Sequence, residues 1–440
     1  MGRLNSTIGR ISSDIGASLT SGHGLRQRLR VPLYRNAYYL IMNSAITGAA
    51  GLVFWILAAR FYLTEEVGFA SAAISAMMLL ALLATVGLDY GLVRFLPDSG
   101  KDANAMINSC LTITGLASVI ITLIFAAGLS FWSPALLSLR QDPVSLATFV
   151  VFTAVYALYM LLVRTFVAER RAGFTLAQGI IFNLLRLPLI VPFAAVFASL
   201  GIFASFGTGA TVAIAAGMFL FLPRVRPGYR PLPTMRTKIL NQMVRFSFAN
   251  YVSTLLWFAP GLILPMMVVN MLDAEANAYF YIAWAIAGVL FGIPLGISSS
   301  LFAEGSYEKE RLGQNTIRSL KLATALVIPV IALVFLVGDK LLLIFDAAYA
   351  ANATKLLWML AVSLIPMSLN NIYFGIRRVE MKMRGVIGLT AFIAVATLVL
   401  SWALLPRMGI SGIGVAWLSS QGTVALAIAV GFILRRTTSR

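Results

Sequence analysis

Arg186 is the residue from which chemistry is most readily built. It stands near the middle of an apolar run from about Phe174 to Ser199. At the centre of a bilayer a guanidinium costs at least about 2.5–3.5 kcal/mol on insertion scales, so it must face a cavity or a partner. Gly179, Asn183 and Arg186 fall at i, i+4 and i+7 and share one helical face. A guanidinium there can hold a phosphate through two parallel hydrogen bonds. A purely structural role is the competing reading. Pro188 and Pro192 leave the carbonyls of Leu184 and Pro188 without helical donors, and Arg186 can serve one of them.

Polar residues at helical spacing extend the pattern. Asn36, Asn43 and Thr47 line one face of the first apolar stretch, and Asn250, Thr254, Trp257 and Gly261 line one face of the seventh. They can form two walls of a polar cavity, or they can bond helix to helix at about 0.6 kcal/mol per contact. Tyr279, Tyr281 and Trp284 read as an aromatic belt at a membrane interface, with sugar stacking as the lesser alternative. Prolines 260, 265, 294, 329 and 366 interrupt later stretches and permit bending.

Catalysis has little to work with. No Asp or Glu lies deep in an apolar stretch. Asp89 is the nearest, and Arg94 is its expected ion-pair partner. One cysteine, Cys110, and one histidine, His23, exclude an intrachain disulfide and a Cys/His metal cluster. Glycine pairs such as Gly412 and Gly414 lack the Lys-Ser/Thr of a phosphate loop, and no outer loop carries the carboxylate pair of glycosyl transfer. The reading therefore assigns no catalytic residue, no metal and no cofactor.

The elements that position these residues are membrane spans. The chain is 60% hydrophobic and only 11% charged, against about 25% charged in soluble proteins. A span needs about 20 apolar residues. Twelve stretches qualify: 36–60, 67–88, 108–129, 146–168, 174–199, 201–222, 243–270, 276–302, 318–337, 353–376, 385–405 and 410–434. The sequence thus reads as an all-α integral membrane protein with twelve transmembrane helices. The net charge of +18 reflects basic residues placed between apolar runs, which points to anionic lipid rather than nucleic acid as partner. With the N-terminus inside, 28 of the 34 Lys and Arg fall on the inner side, five on the outer, and Arg186 in between. That asymmetry predicts N-in, C-in topology.

Pro223–Leu240 divides the chain. It holds four prolines, a glycine, four arginines and a lysine, which stops regular structure; the expectation is a cytoplasmic spacer lying on anionic headgroups and tolerant of lengthening. The reading gives a basic cytoplasmic tail (1–33), a first six-helix bundle (34–222), the linker (223–240), a second six-helix bundle (241–434) and a cytoplasmic C-terminal tail (435–440). Leu4, Ile8, Ile11, Ile15 and Leu19 give the first tail a surface-helix pattern, and a basic unstructured tail is the alternative. Shifting the first half by 209 brings Leu63, Glu66, Ala76 and Gly87 onto Leu272, Glu275, Ala285 and Gly296. Two halves that both start inside form a parallel repeat, a pair that encloses a central cavity.

Three stretches carry a family likeness: Ala58-Ala-Arg-Phe-Tyr-Leu-Thr-Glu-Glu-Val-Gly68, Val86-Gly-Leu-Asp-Tyr-Gly-Leu-Val-Arg-Phe-Leu-Pro97 and Gly409-Ile-Ser-Gly-Ile-Gly-Val-Ala416. With the twelve spans and basic middle loop, the chain resembles the multidrug/oligosaccharidyl-lipid/polysaccharide flippases over about residues 34–434, nearest the polysaccharide transporter branch that flips O-antigen and related units. The resemblance implies a V-shaped pair of bundles in the cell inner membrane. It also implies alternating access and, as cargo, a lipid-linked oligosaccharide on a polyprenyl diphosphate, bound for lipopolysaccharide or exopolysaccharide, with a polysaccharide polymerase or assembly proteins as partners. Arg60, Gly68, Gly87 and Arg94 are its motif positions, with structural roles. Arg186, Asn183, Asn43, Thr47, Asn250, Thr254 and Trp257 are the cavity candidates read from the residues themselves. The alternative is a cation-coupled multidrug exporter of the same superfamily; such antiporters use acidic residues within spans, and spans one and seven have none.

Overall fold

The computed structural model describes residues 32–197 and 200–438. The expected helix of the N-terminal tail lies outside them. Among the described residues there is no strand, and twelve helices are long and apolar enough to cross a membrane. They are α1 (Pro32–Phe61), α2 (Thr64–Thr85), α3 (Ala103–Ala127), α4 (Pro143–Ala168), α5 (Ala172–Phe197) and α6 (Gly201–Ala215), then α7 (Thr237–Met271), α8 (Ala274–Tyr307), α9 (Leu312–Leu343), α10 (Ala347–Val379), α11 (Met383–Met408) and α12 (Ser411–Thr438). All twelve expected spans are present. In the second half the helices outrun the apolar stretches: the span expected at 318–337 is a helix over Leu312–Leu343. Hydropathy marks the length in hydrocarbon, whereas backbone hydrogen bonding continues beyond it.

Local breaks are few and have chemical causes. Val86 and Gly87, at φ 47° and 79°, end α2 and turn the chain into a short helix, Leu88–Phe95. A Cβ on Gly87 would also stand 3.0 Å from Cβ of Tyr251 on α7, so this turn needs glycine twice over. Ser363 breaks α10 into Ala347–Val362 and Leu364–Val379, and α6 continues through a π-helical segment, Ala216–Phe221.

The linker is not a free spacer. Arg226–Arg236 is non-helical and is strapped to the start of α3. Tyr229 Oη donates to Asn108 Oδ1 at 2.6 Å, Asn108 Nδ2 donates to the Arg230 carbonyl at 2.8 Å, and the Thr234 and Arg236 amides donate to the hydroxyls of Thr112 and Ser109. Arg226 pairs with Glu169 at 2.6 Å. The prolines prevent regular structure, so the freed backbone groups are satisfied by α3.

An even number of spans on each side puts the start of α1 and the linker at one end of the molecule, here the linker side. At the opposite end, the far side, the two halves are bonded. Asn277 Nδ2 donates to the Gly68 carbonyl at 2.7 Å and to Ser71 Oγ at 3.0 Å. Gly68 and Asn277 are 209 apart, the offset that aligns the two repeats. Near a two-fold axis, equivalent positions meet each other, so this contact marks the pseudo-symmetry axis. Arg60 donates twice to the Ile344 carbonyl, at 2.8 and 3.1 Å. Asn270 accepts from the Ala135 amide and donates to Ser133. Trp55 and Tyr281 pack across the halves with ring centroids 4.6 Å apart and planes tilted by 57°; Tyr281 thus serves the interface between halves rather than an aromatic belt.

On the linker side, hydrogen bonds between the two halves run from α7 to α2 with its short continuation, and to α3, where Cys110 Sγ donates to Met243 Sδ at 3.9 Å. Thr254 bonds Tyr90 at 2.7 Å, and Tyr251 donates to the Leu83 carbonyl. A methyl group built on Gly48 of α1, or on Gly288, Gly292 or Gly296 of α8, would meet nothing within 4 Å.

Candidate functional site

Span α5 carries a column of polar side chains, Gln178, Asn183 and Arg186, all buried. Arg186 is only 5% exposed. Its guanidinium lies over three rings, with its centre 4.5 Å from Phe182, 5.0 Å from Phe54 and 5.5 Å from Phe206. These rings come from α5, α1 and α6, and Tyr156, Tyr159 and Tyr281 stand farther out. Among the described residues no carboxylate pairs with Arg186, and its Nε has no hydrogen-bond partner. The proline-freed carbonyls are therefore not what it serves. Ring faces are worth roughly 0.5–2 kcal/mol each to a cation, but they leave the N–H donors of the guanidinium unused.

The other polar atoms of the column are similarly open. Asn183 Nδ2 donates to the Gly179 carbonyl one turn back at 2.7 Å, while its Oδ1 has no partner. Both side-chain polar atoms of Gln178 are buried without partners. Buried polar groups are nearly always bonded, so the open atoms of Arg186 and Asn183 point to something that binds between α1 and α5; Gln178 lies apart, against Gly217 on the continuation of α6.

Asn43 and Thr47 face this column. A Cβ on Gly179 would stand 2.2 Å from Asn43 Oδ1 and 3.8 Å from Thr47 Oγ1, and one on Gly51 would stand 3.8 Å from the Arg186 guanidinium. Asn36 caps the start of α5, accepting from the Ala172 amide at 3.1 Å. The structure thus brings Arg186, Asn183, Asn43 and Thr47 into one seam between α1 and α5. It does not bring in the second expected wall. Thr254 is engaged with Tyr90, Trp257 is half-buried against the core, and Asn250 is exposed.

The motif residues have other tasks. Arg60 and Gly68 join the halves on the far side, and Gly87 makes the turn against α7. Arg94 pairs with Asp98, not Asp89. Asp89 instead faces Arg164 at 3.8 Å. The reason is helical geometry: Asp98 is one turn from Arg94, whereas Asp89, five residues back, points elsewhere.

Among the residues missed by sequence reasoning, Phe182 had a legible signal, one turn before Arg186. Phe54 and Phe206 had none, because their approach depends on how α1 and α6 pack on α5.

No protein-family model matches the chain, and no curated protein matches its sequence. Solved structures do. The lipid II flippase MurJ, in an inward closed conformation, has a TM-score of 0.70 at 13% identity, covering 90% of this chain and 87% of its own. An inward-facing multidrug resistance MATE family transporter of the MOP superfamily has 0.67 at 16%, covering 92% and 98%. The MATE multidrug transporter DinF-BH has 0.62 at 16%, covering 92% and 95%. The chain shares the fold of these structures. It is a multi-pass membrane protein whose structural neighbours are transporters and a lipid flippase.

Proposed function

We propose that this chain is a flippase that carries lipid-diphosphate-linked oligosaccharide units from the inner to the outer leaflet of the cell inner membrane for surface polysaccharide assembly. The observation that carries this reading is the buried, anion-less guanidinium of Arg186. Held among three rings, it keeps N–H donors for a diphosphate, which takes two at once. Asn183, Asn43 and Thr47 extend the polar seam from it toward the linker side. In this reading the linker side is cytoplasmic, with both termini inside, as the basic-residue asymmetry supports. The two halves rock against each other, joined on the far side in the present state. Separation at Trp55 and Tyr281 then opens the cage of Arg186.

α1 and α7 contain no carboxylate, which disfavours exchange for a cation. The deciding experiment is mass spectrometry of lipid-linked intermediates from cells lacking the protein. Accumulation of a polyprenyl-diphosphate oligosaccharide supports the flippase and names its cargo. Absence of accumulation, with changed sensitivity to cationic dyes, replaces it with the exporter reading.

A further inference from the structure

A second basic site lies at the linker-side rim of the first half. A pocket of about 340 Å³ is lined by Arg35 at the start of α1, by Arg170 and Arg171 in the α4–α5 turn, and by the aromatic rings of Tyr39, Phe174 and Phe221. None of the three arginines has a carboxylate partner among the described residues. Glu169, their sequence neighbour and the obvious candidate, is turned away into its pair with Arg226 of the linker.

The second half supplies the internal comparison. Its α10–α11 turn has the same geometry: Met381, like Arg170, is left-handed (φ 60° and 55°), and Lys382, like Arg171, donates its amide to a carbonyl five residues back at 2.9 Å. There Glu380 accepts from Arg377 at 2.9 Å and pairs with Lys382 at 3.1 Å. The turn of the second half therefore keeps its carboxylate among its own cations, whereas the equivalent turn of the first half has lost its carboxylate to the linker. Arg170 holds a left-handed backbone conformation, φ 55°, that glycine would adopt without strain.

The geometry points to a binding site for the phosphate headgroup of a lipid in the linker-side leaflet, separate from the Arg186 seam. Three guanidinia present planar donor pairs to phosphate oxygens. The aromatic floor suits the upper part of an acyl or prenyl chain, and basic pockets between helices at this depth take anionic headgroups.

The test uses the full chain in phosphatidylcholine nanodiscs titrated with phosphatidylglycerol, read by native mass spectrometry. R35Q/R170Q/R171Q should bind at least tenfold more weakly than wild type, and R35K/R170K/R171K should fall between them. R377Q and R186A should bind as wild type, so this site stands or fails independently of the proposed transport function. Equal retention by wild type and either triple variant overturns the site. Displacement of the lipid by millimolar inorganic phosphate overturns a lipid ligand in favour of the free ion. Competition by polyprenyl diphosphate identifies the cargo headgroup as the source, and lack of competition identifies bulk phospholipid; both uphold a lipid phosphate.

Discussion

Substituting Gly68 tests the far-side junction at its tightest point. In Gly68→Ala the new methyl would stand 1.6 Å from the Ala274 carbonyl oxygen and 2.5 Å from its carbon. The obstacle is backbone, so no rotamer relieves it. Ordinary contact begins at 3.4 Å, so α2 and α8 must part by about 1.8 Å there, the difference from 1.6 Å. The Asn277 bonds to the Gly68 carbonyl and Ser71, at 2.7 and 3.0 Å, cannot survive that displacement. Two hydrogen bonds at about 1 kcal/mol each, with the packing around them, give about 2–3 kcal/mol. This shifts the balance against the far-side-closed state by roughly 30- to 150-fold. Spin labels at Phe131→Cys and Met408→Cys, both exposed, report the separation by double electron–electron resonance; Cys110 is buried and stays unlabelled. The far-side distance distribution should move outward, and cells should accumulate cargo. Gly91→Ala is the converse: its methyl meets Met243 Cβ on the linker side at 2.8 Å, which no rotamer moves, so it should part the halves there and act in the opposite direction. An unchanged distribution with normal cargo flux in Gly68→Ala would refute the junction.

The remaining expectations concern single groups. Arg186→Ala should abolish surface glycan while the protein remains in the membrane, and Arg186→Lys should retain a minor part; normal glycan from well-expressed Arg186→Ala removes the substrate role. Tyr229→Phe leaves Asn108 Oδ1 without its donor and should cost about 1–3 kcal/mol, and Gly/Ser residues inserted after Met235 should expose Arg236 to trypsin and lower transport. Wild-type protease resistance in both would show the strap to be dispensable. Burial raises the Asp89 carboxyl pKa, against the lowering pull of Arg164. Its contribution to stability is thus present below the unfolded value of about 3.9 and lost as pH rises through the raised one. Asp89→Asn should melt higher than wild type at neutral pH and show a flatter profile as pH rises above the unfolded value; an unaltered profile discards the assignment.

What the sequence made legible follows the range of each interaction. Hydropathy is local, so all twelve spans could be read from runs such as 385–405. The position of Arg186 in its run and its spacing from Asn183 are properties of one helix, and they too could be read. Phe54 and Phe206 belong to other helices, and nothing in their neighbourhoods announces a cation. Asn43 and Thr47 were visible as a polar face, but the face they meet, at Gly179, is fixed by packing of α1 on α5. The linker composition correctly signalled irregular backbone; its docking depends on Asn108, Ser109 and Thr112, more than a hundred residues upstream. The offset of 209 was faint as sequence identity, yet the Gly68–Asn277 contact realises it in space.

The strap has a mechanical consequence. Its last anchor, the Arg236 amide on Ser109, is followed at once by the first residue of α7, so no slack chain separates the halves. The lower part of α7 is held by the first half through Tyr251 and Thr254, although in sequence it belongs to the second. A rocking motion must then be taken up within α7, where Pro260 and Pro265 interrupt the backbone ladder. The articulation sits inside a helix, about twenty residues past the boundary that composition marks. Replacing both prolines with alanine should stiffen α7 and slow transport without altering the resting structure; unchanged transport would place the joint elsewhere.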